Sequence, residues 1–355
     1  MLRKLNRVVQ DYLRPKRLAI GRWIWDRKEK VENNGYKSIL FLRYDGKIGD
    51  MVINTPMFRE IKKQYPDIKI GVVARDGAKA IIENNKYVDK IYDYKKGTAN
   101  IKELAKEIAD EKYDLLIDFT EMLRVQQMMF INLCKAKHNM GFDKKGWNLF
   151  DLTFEKDETP KHITNIYRKV LEILKVENIN MSYDLEVSMD VKEEVKKILD
   201  GIGEFPMKIV FNPFAASKHR SLNKENIDKV VEKLIKETDS AIFILATKEN
   251  LSLVEPIRYK YRDRVFVPKL SGIMAVSELI KGSDLVISPD TSIVHIAVAH
   301  DKPIIAFYRE DVGTDKNSIV WGPNSDKAKI IYAKGNHNIG EEIDINSFDF
   351  KDFKI

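Results

Sequence analysis

The fold class is decided by the segment Ser38-Ile39-Leu40-Phe41-Leu42-Arg43-Tyr44-Asp45-Gly46-Lys47-Ile48-Gly49-Asp50. Its first part, Ile39–Tyr44, consists mostly of large apolar residues over the length of one buried strand. A short loop with two glycines follows, and an amphipathic pattern of helical period runs from about Met51 to Gln64. A buried strand, a glycine-containing loop and a helix are the repeating unit of parallel α/β sheets.

This unit is repeated in two series along the chain. The first series ends with a predicted helix at His162–Leu174, and a linker with weak strand signal follows at Val176–Phe205. The second series begins with a predicted strand at Lys208–Asn212 and ends with one at Pro303–Phe307. We therefore predict an α/β protein of two facing, Rossmann-like, doubly wound domains, with a ligand crevice between them beyond the carboxyl ends of the strands.

The length of 355 residues agrees with this division, because one hydrophobic core rarely organises so long a chain. The pattern divides the chain into four parts. These are a basic amphipathic segment at 1–37, an N-terminal domain at 38–185, a C-terminal domain at 186–330 and a tail at 331–355.

The formal net charge of +7 is concentrated near the N-terminus. Residues 1–30 contain ten Lys or Arg and three Asp or Glu, whereas the other residues contain 51 of each kind. We therefore expect no general nucleic-acid-binding surface, and no zinc-finger or RNA-binding signature indicates one. Leu, Val, Ile, Tyr and Trp lie between the basic residues, which leaves two interpretations. Residues 1–30 dock on an anionic membrane surface, or they form a helix on the protein body with a solvated basic face.

Cysteine content and hydropathy predict an intracellular protein. Cys134 is the single cysteine, so no internal disulfide can form, which suits a reducing compartment. There is no run of 18 apolar residues that would span a membrane, and no secretory signal. We expect a cytoplasmic location, peripheral to the inner face of the cytoplasmic membrane if residues 1–30 dock there.

The loop between the first strand and helix carries a carboxylate towards the predicted crevice. Gly46 and Gly49 permit a tight turn and a close approach of ligand to backbone. The spacing matches neither a P-loop nor a dinucleotide-binding glycine fingerprint. Asp50, at the helix start, is either an acid that stabilises the helix dipole or a functional carboxylate in the crevice.

The loop after the first strand of the second domain is rich in basic residues. Small residues lead into Ser217, Lys218, His219 and Arg220. A lysine in such a loop can neutralise a diphosphate as a point charge, so the loop is a candidate anion site. A solvated basic loop is the alternative.

A third loop, Ser288–His295, also joins a strand to a helix. Thr291 and Ser292 can cap this helix, and the free N–H groups of a helix N-terminus bind pyrophosphate well. Asp290 would lie between the strand end and the ligand, with His295 one turn into the helix. The alternative is an ordinary N-cap followed by a buried histidine.

The three loops together indicate a group transfer. Loops suited to binding phosphate lie in the second domain, and a carboxylate lies on the facing edge of the first. An inverting transfer needs a base for the acceptor hydroxyl and, opposite to it, groups that stabilise the charge on a departing diphosphate.

In order and spacing, these motifs resemble the ADP-heptose:lipopolysaccharide heptosyltransferase family, glycosyltransferase family nine. The resemblance extends from about Ser38 to Tyr308. Its motifs are, in chain order, Arg43…Gly49-Asp50, Thr55-Pro56, Asn84…Tyr87-Val88-Asp89, Asn212-Pro213 through Lys218, Asp290-Thr291-Ser292…His295 and Lys302-Pro303.

The resemblance implies a fold of GT-B type and a metal-independent, inverting transfer of heptose from ADP-heptose to an acceptor of the lipopolysaccharide inner core. The N-terminal domain would bind the acceptor and the C-terminal domain the nucleotide sugar, without a cofactor. Asp50 becomes the candidate catalytic base. The implied donor-side residues are Ser217, Lys218, Asp290, Thr291, Ser292 and His295, and the acceptor-side residues are Arg43, Lys47 and Gly49.

Two alternatives remain beside this expectation. The same fold and chemistry could use another nucleotide sugar or glycan acceptor, or the protein could bind sugar nucleotides without catalysis. The expected partners are a nucleotide-sugar donor and a lipid-linked oligosaccharide acceptor, with no nucleic acid. No metal is expected, because the histidines show no metal-ligand spacing with acids or cysteine.

Overall fold

The computed structural model describes residues 2–313, 316–335 and 343–355, and of residues 2–11 it describes only the backbone. Within these residues the chain forms two six-stranded sheets. Every strand pairing in them is parallel. The predicted α/β fold of two doubly wound domains is therefore confirmed, and the two domains are called the N-lobe and the C-lobe below.

The N-lobe is built on the first sheet. Its strands are β1 (Ser38–Arg43), β2 (Lys69–Ala74), β3 (Lys90–Asp93), β4 (Leu115–Asp118), β5 (His138–Phe142) and β6 (Leu152–Phe154). Its helices are α1 (Leu2–Trp25), α2 (Ile48–Gln64), α3 (Gly77–Ala80), α4 (Thr98–Asp110), α5 (Val125–Leu133) and α6 (Thr164–Ile173). The strands lie in the order β3-β2-β1-β4-β5-β6, which is the Rossmann order.

The C-lobe repeats this arrangement. Its strands are β7 (Met207–Phe211), β8 (Ser240–Ile244), β9 (Val265–Phe266), β10 (Leu285–Pro289), β11 (Ile304–Arg309) and β12 (Ala328–Ala333). Its helices are α7 (Met189–Asp200), α8 (Lys224–Glu237), α9 (Leu251–Lys260), α10 (Ile273–Lys281), α11 (Ser292–Ala299) and α12 (Asn317–Val320). The strands lie in the order β12-β11-β10-β7-β8-β9, which is the same Rossmann order in the second lobe.

The central strands lie in the core of each lobe. Phe41 and Ile117 in the N-lobe, and Val210 and Phe243 in the C-lobe, have no exposed surface. Helices on both faces of a parallel sheet bury its strands in this way, which explains why they read as apolar runs in the sequence. The strand order reverses between β1 and β4 and between β7 and β10, so the loops after β1, β7 and β10 flank the points where such folds bind ligands.

The two lobes touch through α2 and α11. A Cβ atom added to Gly49 would lie 2.7 Å from Cδ2 of His295, so only glycine permits this approach. Nearby, the Lys47 ammonium lies 5.6 Å from the centre of the Trp321 ring. The edge of the N-lobe that carries the first loop therefore rests directly on the C-lobe.

The chain crosses between the lobes after a segment that is fastened to α2. The Arg59 guanidinium donates to the carbonyls of Asn180 and Ser182, at 2.6 and 2.8 Å, and is paired with Asp184. Thr55 Oγ accepts the Asp184 N–H at 2.9 Å and donates to the Val52 carbonyl at 2.7 Å. Because α7 packs on α10 of the C-lobe, the crossing lies between Asp184 and the start of α7.

Pro56 explains why the Thr55 hydroxyl donates to the Val52 carbonyl. A proline within a helix has no N–H, so it leaves the carbonyl four residues earlier without its usual partner. In α2 this is the Val52 carbonyl, and the Thr55 hydroxyl bonds it instead.

Several elements are absent from the sequence prediction. The strand β5 contains His138, Asn139 and Gly141, residues that strand propensity disfavours, and its neighbours α5 and β6 were likewise not predicted. At the other end, the predicted series stops at Phe307, whereas β12 follows at the sheet edge and crosses the predicted boundary at 330.

The described residues of the predicted tail belong to the C-lobe. The rings of Phe348 and Phe353 lie 4.7 and 6.1 Å from the Phe307 ring and are buried. Residues 336–342 of this tail lie outside the described residues. Residues 331–333 complete the edge strand β12, and residues 343–355 pack on the sheet because burying apolar side chains stabilises the lobe.

The N-terminal segment begins with the helix α1, whose C-terminal part packs against α5. Asn132 Nδ2 donates to the Trp25 and Arg27 carbonyls at 3.1 and 2.8 Å, and the Arg22 guanidinium lies 4.3 Å from the Trp147 ring centre. One side of this helix therefore packs on the protein body, as in the second interpretation of residues 1–30. None of the helices in the described part of the chain combines the length and the apolar character that crossing a bilayer requires.

Candidate functional site

A cavity of about 770 Å³ lies between the lobes, where the three predicted loops meet. The N-lobe contributes Gly46, Lys47, Ile48, Gly49 and Asp50 to its wall. The opposite wall comes from the loops after β7, β8 and β10 and from the start of α11. The volume suits a nucleotide sugar, since small-molecule sites commonly enclose about 300–1,000 Å³.

Asp50 lies in the first turn of α2 and faces this cavity. Its side chain is 14% exposed, and its carboxylate lies 3.2 Å from Nη2 of Arg43 and 3.7 Å from Nζ of Lys47. Burial raises the pKa of the Asp50 carboxyl above its usual range, and the two cations oppose this rise. The carboxyl is therefore a stronger base than a solvated aspartate and stays within reach of a ligand.

Arg43 stands behind Asp50 at the end of β1. It is 5% exposed and is not among the residues that line the cavity, and its guanidinium lies 5.7 Å from the Phe119 ring centre. Burial alone would lower the pKa of Arg43, but Tyr167, Asp45 and Asp50 together raise it, so the guanidinium stays charged. In this position it contacts the Asp50 carboxylate, whereas Lys47 and Gly49, the other residues predicted on the acceptor side, line the cavity directly.

The start of α11 forms the facing wall. Thr291 is the N-cap, and its hydroxyl accepts the Ile293 N–H at 3.3 Å. Asn212 Nδ2 donates to the same hydroxyl at 3.2 Å, and Ser288 Oγ lies 3.0 Å from it. Thr291 and Ser292 both line the cavity, so the positive end of this helix faces the space in front of Asp50.

Asp290 is held by polar neighbours at the end of β10. Its carboxylate accepts a hydrogen bond from Asn317 Nδ2 at 2.7 Å and lies 3.8 Å from Nη1 of Arg220. All three residues line the cavity. Asp290 therefore orients a basic and an amide group on the C-lobe wall of the cavity.

The basic loop is placed differently from the prediction. Ser217 and Lys218 are exposed and do not line the cavity, whereas Arg220, at the other end of a 3₁₀ turn over Lys218–Arg220, does. One 3₁₀ residue turns the chain by about 120°, so neighbours in this turn point in different directions. The role of Ser217 and Lys218 in donor binding stays a prediction.

His295 is buried at the lobe contact and lines the cavity. Burial lowers its pKa to about 3, and the neighbouring His162 adds to this effect, so the imidazole is neutral at physiological pH. Its Nδ1 has no hydrogen-bond partner within the described part of the chain. His162 in turn lies 3.2 Å from the Gly322 carbonyl of the C-lobe, through Nε2.

Several residues of this site do not stand out in the sequence. Asn212, Asn317 and Trp321 line the cavity, and its far end is formed by the loops after β8 and β9. Asn212 lies in a loop that was singled out, but Asn317 and Trp321 lie beyond the last motif, Lys302-Pro303, where only the fold brings them to the cavity. The residues at the far end are Leu245, Ala246, Thr247, Asn250, Pro268 and Leu270.

No group of three or more metal-ligating side chains is found in the residues that the structure describes. Metal independence and the absence of a cofactor stay predictions, since they concern the reaction.

Comparisons with known proteins agree with this geometry. The model of glycosyltransferase family 9 (heptosyltransferase) matches residues 101–343. An Escherichia coli K12 protein with the provisional name lipopolysaccharide heptosyltransferase 4 is 26% identical over 298 residues, which cover 82% of this chain and 80% of that protein.

Solved structures share the fold. A family 9 glycosyl transferase from Veillonella parvula DSM 2008 has a TM-score of 0.76 at 17% identity, covering 91% of this chain and 96% of that one. The E. coli heptosyltransferase WaaC, solved with ADP, has a TM-score of 0.65 at 15% identity, covering 84% and 94%. At these identities the structural matches establish the architecture alone.

Proposed function

Because the chain belongs to glycosyltransferase family 9, the heptosyltransferases, and is thus a glycosyltransferase, we propose that it transfers a heptose from ADP-heptose to an acceptor of the lipopolysaccharide inner core. The transfer inverts the anomeric configuration and uses neither metal nor cofactor. It takes place in the cytoplasm, on a lipid-linked acceptor.

The observation that carries the proposal is the opposition of Asp50 and the start of α11 across one cavity. In the proposed reaction Asp50 removes the proton of the acceptor hydroxyl. The oxygen forms a bond to the anomeric carbon while the bond from that carbon to the phosphate oxygen breaks. The electron pair leaves with ADP on the opposite side, which inverts the configuration.

The C-lobe stabilises the leaving diphosphate in this scheme. The free N–H groups at the start of α11 and the Arg220 guanidinium offer positive charge where negative charge grows. A buried, neutral His295 adds a polar ring without adding charge. Lys218 joins this set if its exposed side chain folds over bound donor.

The nucleotide is proposed to lie at the far end of the cavity. Pro268 and Leu270 offer apolar surface to a base, while Thr247 and Asn250 offer hydrogen bonds. ADP is the nucleotide bound in the WaaC structure, and this supports an adenine nucleotide here. A thermal-shift panel of ADP-, UDP- and GDP-sugars checks the choice, because a bound ligand raises apparent stability. A larger shift with UDP- or GDP-sugars would contradict it.

The role of Asp50 is tested with Asp50→Asn, which keeps the size of the side chain and removes the base. We expect kcat to fall about 10²- to 10⁴-fold, the usual contribution of proton-transfer catalysis. Turnover is measured as ADP release from ADP-heptose with a soluble core acceptor.

The matched control is Asp45→Asn. Asp45 also faces Arg43, at 3.6 Å, but its side chain is 37% exposed, so we expect a change below about threefold. Near-normal transfer by Asp50→Asn would remove Asp50 as the base. A wild-type protein that neither transfers nor hydrolyses any sugar of the panel would favour a non-catalytic binding protein instead.

A further inference from the structure

The helix α1 carries a row of apolar side chains that points away from the protein body. Tyr12, Ile20 and Trp23 are 66%, 59% and 72% exposed, and their spacing places them on one helix face. Lys16 shares this face, and these four residues are called the outer face of α1; Arg27 follows the end of the helix and donates to the Trp23 carbonyl at 3.0 Å. The same spacing continues in the sequence at Leu2, Leu5 and Val9.

A different side of the helix holds it to the N-lobe. Leu18 and Trp25 pack against the N-lobe core, and a Cβ atom added to Gly21 would lie 2.6 Å from the Val125 side chain. Asp26 also accepts the Leu149 N–H at 2.7 Å. The helix is therefore fixed in place without using its outer face.

The outer face combines aromatic rings with cations. The Lys16 ammonium lies 4.3 Å from the Tyr12 ring centre, and the Arg27 guanidinium 5.2 Å from that of Trp23. Exposed Arg17 lies beside the row, and Arg14, on another side of the helix, is also exposed. Rings with a polar end and long cationic side chains suit the boundary between lipid and water, and the positive charge favours anionic headgroups. A second copy of this basic helix would instead be repelled.

The direction of α1 relates this face to the cleft. Gly21 lies at Val125, the first residue of α5, while Trp25 is bonded to Asn132 near the end of α5, so both helices run the same way. Residues before Gly21 therefore continue past the start of α5, on the side where the strands have their carboxyl ends. From Leu2 to Gly21 the helix is about 28 Å long.

We propose that the outer face of α1 inserts into the headgroup region of an anionic bilayer. The cleft side of the N-lobe, where the acceptor enters in the proposed function, is then held at the membrane surface. The docking itself requires neither donor nor acceptor, so it is measured separately from transfer.

The experiment uses the full chain and vesicles of phosphatidylcholine, alone or mixed with phosphatidylglycerol. We expect cosedimentation with the mixed vesicles and at least tenfold weaker partitioning of the double variant Ile20→Ser, Trp23→Ser. The control is Tyr259→Ser, an aromatic residue 78% exposed on α9 of the C-lobe, which should bind like wild type. Binding should also weaken as salt is raised, because surface attraction is screened over about 8 Å at 0.15 M ionic strength.

A second variant protects the test against a folding defect. Arg14→Gln, Lys16→Gln and Arg17→Gln together remove three exposed charges and change none of the residues that pack on the N-lobe, which are Leu18, Gly21 and Trp25. They should lower binding to the mixed vesicles at least tenfold and leave binding to neutral vesicles unchanged.

Equal binding by wild type and both variants would overturn the proposal. So would a wild-type dimer in light scattering that Ile20→Ser, Trp23→Ser dissociates without any vesicle binding, since the occupant would then be a second copy. Normal turnover of the variants on a soluble acceptor, with loss on a vesicle-bound one, supports docking. A wild type inactive on both acceptors speaks against the proposed function and leaves the vesicle result valid.

Discussion

Asp50 and Asp290 are two acids on opposite walls of one cavity, and each lies beside an arginine. Arg43 is buried and lies 3.2 Å from Asp50, whereas the Arg220 side chain is 39% exposed and lies 3.8 Å from Asp290. Asp290 also accepts a hydrogen bond from Asn317. Burial raises the pKa of Asp50 towards that of a useful base, while Asp290 is engaged in orienting its neighbours. In the proposed mechanism the same residue type thus performs two tasks, and its surroundings decide which.

Among the variants described below, replacing the buried Arg43 should lower activity most. In Arg43→Met the Asp50 carboxylate loses its nearest cation, so its pKa rises further and the protonated form is inactive as a base. We expect kcat/KM at pH 7 to fall about 100-fold, and the acidic limb of the pH profile to move to higher pH. The measurement is kcat/KM over pH 5–9.

Arg43→Lys is the matched control, because it keeps the charge. It should restore the position of the acidic limb even if turnover stays reduced. A profile that keeps its wild-type midpoint in Arg43→Met would mean that Arg43 does not act through Asp50.

Separating the two walls should have the next largest effect. In Gly49→Ala the new methyl group meets the His295 ring at 2.7 Å, so the lobes must move apart or the ring must shift. Overpacking of this kind costs about 1–3 kcal/mol, and we expect roughly thirtyfold lower kcat/KM. Gly201→Ala, at the end of α7 and outside the cavity wall, is the control, because the nearest atom beyond its chain neighbours lies 3.4 Å from the added Cβ. Equal activity of both variants would show that the lobe contact is not needed.

Variants of Arg220 and Lys218, in the second loop, test the C-lobe wall of the cavity that contains Asp290. Arg220→Gln removes the cation beside Asp290, and we expect the donor KM to rise about tenfold with a smaller change in kcat. Lys218→Gln should raise KM less than threefold if this lysine stays exposed when donor binds. A larger effect of Lys218→Gln than of Arg220→Gln would show that the basic loop rearranges on binding.

The smallest effect concerns stability. The pKa of His295 is about 3 in the folded protein and that of an unfolded histidine is about 6.5, so between these values the unfolded chain binds more protons. The free energy of unfolding due to His295 is thus fully present above pH 6.5 and is lost as the pH falls towards 3. His295→Gln should flatten the pH dependence between pH 4 and 6 by up to about 1.4 kcal/mol per pH unit, as measured by urea unfolding. An unchanged slope would contradict the burial of a neutral imidazole.

The sequence predicts the fold well where strands are apolar on both faces. Residues 39–44, 241–245 and 285–288 are such runs, and all three lie in central strands. It fails where a strand carries polar residues, as β5 does with His138 and Asn139. There the surrounding helices and neighbouring strands decide the structure, and local propensity does not.

The site shows the same limit. The loops after β1, β7 and β10 could be found because turn residues and functional types follow a strand in each. Which side chain of a loop faces the cavity could not, since Lys218 and Arg220 differ only by their position in one 3₁₀ turn. Arg43 shows this too, because sequence order does not reveal that it lies behind Asp50.

The attachment of residues 180–184 to α2 limits where the chain can bend between the two lobes. Thr55 donates to the Val52 carbonyl that Pro56 leaves without a partner, and it also accepts the Asp184 N–H. Arg59, one turn later, donates to the Ser182 carbonyl of the same segment. If the two lobes move apart, the chain must therefore bend in the few residues between Asp184 and the start of α7. The same helix carries Asp50 in its first turn, so an opening of the lobes would leave this carboxylate in place on the N-lobe and would move the C-lobe wall of the cavity away from it.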